Sequence, residues 1–345
     1  MSSTWVLLTA LPPTRGHLQL VRFAEALDRG DGGDGVTVLV CTQPDEPFVA
    51  ERPAAVAAAI DGALRDRVEV LHFAEQVQQV PDGDDDAAFW AMWVDILAAR
   101  GLRPGDTIVA SEPYGVPLAG AAGCRFVPYD PGRVTDGCNA TSVRRDPLSH
   151  FDVMVPEFAR LLTRRVTFFG AESTGKTTLS VAVAEQVSGH LLPEWARPYL
   201  DLIGPVVTDD AMHTIWSAQR ALQESIVRHA PRPFIVQDTD LFSTLGYWEM
   251  FDPAGVPPGL ADDAVATRSD LYVMCPSDIP FEPDPQRFGG DRRESTDQYW
   301  IDLLERFGLN YVVLGSSDPD ERLRQATEAV LGTFDQRILA YDRIT

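Results

Sequence analysis

The chain has 345 residues, more than twice the ~150 of an ordinary domain, which predicts two domains. Hydrophobic residues make up 45% and charged residues 23%, a profile that buries real cores and excludes disorder, a collagen-like fibre and a coiled coil. A formal charge of −22 repels phosphate backbones, so nucleic acid is not an expected partner. No apolar run approaches the ~18 residues of a membrane span, and the amino terminus lacks the charged-then-apolar pattern of a secretion signal. A cytoplasmic protein without a membrane partner is expected, with self-association left open. Cys41, Cys124, Cys138 and Cys275 form no CxxC pair and suit neither zinc nor a disulfide scaffold.

In chain order, Thr4–Thr9 reads as a strand, Ala10–Gly16 as a loop and His17–Arg29 as an amphipathic helix. A Gly/Asp turn, Gly30–Gly35, leads into a strand over Val36–Cys41, so the chain opens as a βαβ unit and predicts a parallel sheet. A helix over Pro53–Leu64 and a strand over Val68–Phe73 follow. After an acidic loop, Asp82–Asp86, come a helix over Ala87–Arg100 and a strand over Thr107–Ala110. Pro156 suits the first position of a short helix, Pro156–Leu162. The pattern then restarts with a strand over Val166–Phe169, a helix over Thr177–Val187, and strands over Phe234–Gln237 and Leu271–Met274. Domains over 1–155 and 164–345 are expected.

Gly170-Ala171-Glu172-Ser173-Thr174-Gly175-Lys176-Thr177 fits G-x-x-x-x-G-K-S/T in full, between an apolar strand and a helix. In such a P-loop, Gly170, Ser173, Thr174 and Gly175 curl the backbone so that N–H groups meet phosphate oxygens at a helix N-terminus. Lys176 is the only lysine in the chain. It would reach the β and γ phosphates, and the Thr177 hydroxyl would ligate Mg²⁺, with ATP as co-substrate.

Phosphoryl transfer also needs a carboxylate near the acceptor hydroxyl. Asp238-Thr239-Asp240 follow a predicted strand, where a parallel sheet delivers side chains to its ligand edge. Asp238 is assigned to Mg²⁺ and Asp240 to substrate, with either one able to serve as base. Glu194 and Arg197 fall on one helix face if their stretch is helical. Arg287 and Arg293 sit in a glycine-containing loop suited to cover phosphates.

At the amino terminus, Thr14-Arg15-Gly16-His17 lies between a strand and a helix. There Gly16 permits close approach to a triphosphate and His17 can donate to the α- or β-phosphate. This resembles the nucleotidyltransferase signature, with Thr14 in place of its first histidine. Asn139-Ala140-Thr141-Ser142-Val143-Arg144 resembles the same superfamily's second motif, with Thr141 and Arg144 on the pattern and Asn139 in place of a serine. Ser111–Gly115 and Val127–Arg133 also resemble family segments.

The combination resembles the bifunctional NadR-like family, from Leu7 to about Leu314. The resemblance implies an α/β chain: a Rossmann-like nucleotidyltransferase sheet followed by a P-loop kinase domain. It implies phosphorylation of ribosylnicotinamide to the mononucleotide (NMN), then adenylylation of NMN to NAD with release of pyrophosphate. Trp90 and Trp93 in the first domain and Trp195 in the second offer aromatic faces to the nicotinamide ring. A coenzyme-A synthase shares this domain pairing and is an alternative, as is a nucleotide sensor with one degenerate site.

Overall fold

The computed structural model describes residues 2–83, 86–130, 132, 140–204, 208–227, 231–253, 255–281 and 296–341. It divides into two compact units, Met1–Leu161 with the residues from Gln336 on, and Leu162–Asp335. The sequence pattern predicts a second domain over 164–345. Instead Gln336–Tyr341 belong to the first unit, where the Tyr341 hydroxyl donates to Asp45 Oδ2 at 3.2 Å.

The first unit contains β1 (Thr4–Leu8), α1 (Arg15–Gly30), β2 (Val36–Cys41), α2 (Glu51–Ala59), β3 (Val68–Phe73) and α3 (Ala87–Ala98). It continues with β4 (Thr107–Ala110), α4 (Gly115–Ala122), β5 (Arg125–Pro128), α5 (Ala140–Arg145) and α6 (Pro156–Leu162). The strands pair in parallel in the order β3-β2-β1-β4-β5. Apolar residues such as Val6, Val38, Leu39 and Val109 are wholly buried, because helices cover both sheet faces. Helix α2 ends five residues before the predicted Leu64. Asp61 and Gly62 form a turn there, in which the Asp61 carbonyl and carboxylate both accept from the Leu64 N–H.

The second unit holds β6 (Arg164–Phe169), α7 (Lys176–Gln186), β7 (His190–Leu192), α8 (Ala196–Ile203), α9 (Asp209–Val227) and β8 (Phe234–Asp238). Then come α10 (Leu241–Phe251), α11 (Leu260–Ala266), β9 (Leu271–Met274), α12 (Asp297–Arg306), β10 (Tyr311–Val313) and α13 (Pro319–Gly332). Its sheet is also parallel, ordered β10-β9-β6-β8-β7. One face packs an aromatic core in which Trp300 meets Phe169 edge-on at 5.1 Å and approaches Gly246 so closely that a Cβ there would lie 2.6 Å from the indole. A side chain as fully buried as Phe169 or Phe242 contributes about 1.5–3 kcal/mol by its removal from water.

Candidate functional sites

In the first sheet the strand order reverses between β1 and β4, and in open α/β sheets the crevice at such a reversal is where ligands bind. A cleft of about 540 Å³ opens there. The carboxyl ends of β1 and β4 line it, through Leu7–Thr9 and Ala110–Glu112. Thr14, Gly16, His17, Trp90, Trp93, Thr141 and Arg144, all singled out from the sequence, line the same cleft.

Helix α1 begins at Arg15, so His17 occupies its third position, where a Glu or Gln side chain usually reaches back to the cap. Here the imidazole does so. Its Nδ1 accepts from the Thr14 backbone N–H at 3.0 Å and lies 2.9 Å from the Thr14 hydroxyl. A ring accepting at Nδ1 carries its proton on Nε2. Burial, reinforced by the Arg144 guanidinium, pulls the His17 pKa down to about 4. The site therefore holds a neutral imidazole with a fixed Nε2–H donor.

Arg144 donates to the Leu11 carbonyl at 2.5 Å and to the Thr141 hydroxyl at 2.9 Å, so α5 is fastened to the loop after β1. Tyr114 ties that strand to the start of α4 by donating to the Leu7 carbonyl at 3.2 Å. Of the two tryptophans, Trp93 is set in the core, edge-on to Phe73 and donating from Nε1 to the Gln78 carbonyl at 3.2 Å. Trp90 is less buried and its indole N–H has no partner. The predicted contact Asn139 lies outside the described residues, as do Arg287 and Arg293 of the second unit.

In the second unit β6 runs into the P-loop at the middle of the sheet. Gly170 has φ +128°, and a Cβ there would stand 2.7 Å from the Cys275 carbonyl. Gly170→Ala is expected to lower ATP affinity sharply and to destabilise the fold by roughly 1–3 kcal/mol. Equilibrium ATP binding alongside urea denaturation checks both effects. Lys176 Nζ donates to the Gly170 and Ala171 carbonyls at 2.9 and 2.6 Å, while Thr174 Oγ1 donates to the Ala171 carbonyl at 2.9 Å. Burial lowers the Lys176 pKa, and the nearby carboxylates of Glu194, Asp238 and Glu172 oppose that shift. The lysine and two of the predicted carboxylates thus share one electrostatic environment.

Asp238 ends β8 and is almost fully buried, with its Oδ1 unpartnered. An orphaned buried carboxylate oxygen on the strand beside the P-loop strand is a donor suited to a hard cation, and Thr177 adds an exposed residue with a hydroxyl on the first turn of α7. These two residues fit Mg²⁺. Among the described residues, no cluster of three or more His, Cys, Asp or Glu forms a self-sufficient metal site. Glu194 precedes α8 rather than lying on it, and its Oε2 is 3.8 Å from Arg197 Nε. Trp195 stacks on Tyr199 with centroids 4.8 Å apart, and its backbone N–H donates to Gln219 Oε1 at 3.1 Å.

Asp240 has a different use from the one predicted. Its Oδ1 caps α10, accepting from the N–H groups of Phe242 and Ser243 at 3.0 and 3.3 Å, and its Oδ2 accepts from Tyr272 Oη at 2.7 Å. Thr167, 3.5 Å from Oδ2, pairs in register with Gln237 and Tyr272, whereas Asp238 pairs with Phe168. Because successive residues of a strand point to opposite faces, Asp238 faces away from Gln237, whereas Asp240, beyond the end of β8, bonds to Thr167 and Tyr272 on the Gln237 side of the sheet. Burial pushes the Asp240 pKa up to about 6. Its carboxyl is consumed by the helix cap and by a buried network of Thr167, Gln237, Ser269 and Tyr272.

Each sheet therefore carries a candidate site at its carboxyl edge, one lined by a neutral histidine and one formed by a P-loop motif. An AAA-domain family model matches residues 165–322. The chain is 24% identical over 257 residues to the trifunctional NAD biosynthesis/regulator protein NadR of Escherichia coli, and 22% identical over 255 residues to that of Salmonella typhimurium. Each match covers 70% of this chain and 61% of the relative, so it spans less than two thirds of these relatives' length. Two solved structures, NadR protein in complex with NR and NadR protein in complex with NAD and AMP-PNP, superpose with TM-scores of 0.63 and 0.61 at 20% identity. Each alignment covers 100% of this chain and 98% of the other. The chain shares their α/β fold. Among the described residues no helix is long and apolar enough to cross a membrane.

Proposed function

We propose that this chain is a bifunctional enzyme of NAD biosynthesis, with a ribosylnicotinamide kinase in its second unit and an NMN adenylyltransferase in its first. The observation that carries the reading is the convergence of His17, Thr141, Arg144 and two tryptophans on one cleft, in a chain that separately holds a complete P-loop beside a buried carboxylate. The NadR likeness runs through both units and supports it.

In the kinase, the 5′-hydroxyl of ribosylnicotinamide attacks the γ-phosphorus of ATP. A new P–O bond forms as the bond to the ADP oxygen breaks, and the hydroxyl proton passes to a carboxylate. Lys176 and the loop N–H groups stabilise charge on the β and γ phosphates. Thr177 and Asp238 would hold Mg²⁺, which when bound neutralises charge on the same phosphates. Glu194, coupled to Lys176, supplies the carboxylate for the acceptor hydroxyl, and Trp195 a face for the nicotinamide ring.

In the transferase, the NMN phosphate attacks the α-phosphorus of a second ATP and pyrophosphate leaves. The His17 Nε2–H and the Arg144 guanidinium meet the negative charge that grows on the phosphate oxygens. Trp90 presents its ring to the nicotinamide. Both displacements need positioning and charge neutralisation, with no covalent protein intermediate.

Incubation of the full chain with ATP, Mg²⁺ and ribosylnicotinamide should yield NMN and then NAD by chromatography. Absence of both products, together with turnover of pantetheine phosphate, would transfer the assignment to coenzyme-A synthesis.

A further inference from the structure

We propose that Arg322, on the first turn of α13, is a positioning residue that holds the phosphate loop in its nucleotide-binding shape. The inference rests on the kinase reading of the second unit. Arg322 is 3% exposed, and a guanidinium so far from water must have its charge and donors answered inside the protein. Nη1 donates to Asp278 Oδ1 at 2.6 Å and to the Ser316 carbonyl at 3.3 Å. Nη2 donates to the Thr174 carbonyl at 2.8 Å, across 148 residues of sequence. One planar fork thus joins the segment after β9, the segment after β10 and the centre of the P-loop.

The grip on Thr174 matters because of peptide geometry. In a trans peptide the C=O of residue 174 and the N–H of residue 175 lie in one plane and point in opposite directions. Holding the Thr174 carbonyl against Arg322 therefore sets the direction of the Gly175 N–H, one of the donors a P-loop turns towards phosphate. Gly175 sits at φ +82° with no side chain to restrain it, so that direction needs an outside anchor. The anchor extends further. The Thr174 hydroxyl donates to the Ala171 carbonyl, which also receives Lys176 Nζ, so the loop, its lysine and Arg322 form one connected set. A lysine at 322 keeps the charge but lacks the rigid fork that serves Asp278 and Thr174 together.

The test compares wild type, Arg322→Gln, Arg322→Lys and Asp278→Asn in the full chain. KM for ATP and for ribosylnicotinamide, kcat, and the Kd of a fluorescent ATP analogue are measured. Both Arg322 variants should raise the KM and Kd for the adenine nucleotide roughly tenfold or more, while the acceptor KM stays within about twofold. A purely structural role would lower the melting temperature without that split. An ATP KM within about twofold of wild type in folded Arg322→Lys overturns the proposal. Should the Arg322 variants not fold, Asp278→Asn decides, since Asp278 is 36% exposed and the amide oxygen of an asparagine there can still accept from Arg322 Nη1. A rise of about threefold in ATP KM supports the proposal, and no change overturns it. If wild type phosphorylates no ribosylnicotinamide, the kinase reading fails on its own. The loop assignment is then judged by analogue Kd alone, with unchanged affinity in the variants overturning it.

Discussion

Lys176→Ala should abolish γ-phosphoryl transfer to ribosylnicotinamide while NAD synthesis from supplied NMN continues within about twofold of wild type. Removing one preorganised donor from a site of developing charge costs about 3–4 kcal/mol, which at about 1.4 kcal/mol per tenfold is a loss of roughly 10²–10³. The chain has no other lysine, and Lys176 is the side chain that bridges the first two carbonyls of its loop. Burial lowers the Lys176 pKa, and the carboxylates of Glu194 and Asp238 oppose that shift. Lys176→Arg should rescue little, since a rigid planar fork does not replace a compact point charge in this buried pocket. The first unit has its own cleft, built from other residues, so its reaction should be unaffected. Coupled measurement of NMN formation and of NAD formation from NMN separates the outcomes. Equal loss of both would mean that the two reactions do not use separate sites.

Local pattern made much of this site legible, and chain-distant packing hid the rest. Strands such as Val36–Cys41, Thr107–Ala110 and Leu271–Met274 appear where their apolar runs predict them, because strands buried on both faces are nearly continuous in hydrophobic residues. The P-loop declares itself through glycines whose backbone angles other residues resist. Asp238 is legible as a candidate because it closes such a strand. Asp240 was misread because sequence offers no way to tell an aspartate facing a ligand from one capping the next helix two residues later. Only the partners Tyr272 and Phe242 make the distinction. Arg322 carried no signal at all, since an arginine in the first turn of an acidic amphipathic helix looks like a surface residue until Thr174 is brought to it.

His17→Ala should suppress adenylyl transfer by roughly 10²–10³, chiefly in kcat, while phosphorylation of ribosylnicotinamide continues and NMN accumulates. Capping and catalysis are two jobs of one ring. Nδ1 closes the start of α1 against Thr14, and that bond fixes Nε2–H as the donor available to the α-phosphate. The substitution should therefore also destabilise the fold by about 1 kcal/mol, the usual worth of a cap. His17→Gln separates the two roles: its side-chain oxygen can still accept from the Thr14 N–H, so the melting temperature should recover while kcat does not. Acid dependence gives an independent check. The folded pKa of about 4 lies below the ordinary value of 6.5, so the native state binds fewer protons than the unfolded chain between those values. Stability should decline as pH falls below about 6.5 and stop declining through this group below about 4, and the His17 variants should lack that component. In the same interval wild-type kcat should show no titration from His17, because the donor is the neutral ring throughout. An adenylyl-transfer rate that falls as pH rises through about 6.5 would require an imidazolium instead. A cooler melt with undiminished NAD formation in His17→Ala would leave the ring as a cap alone.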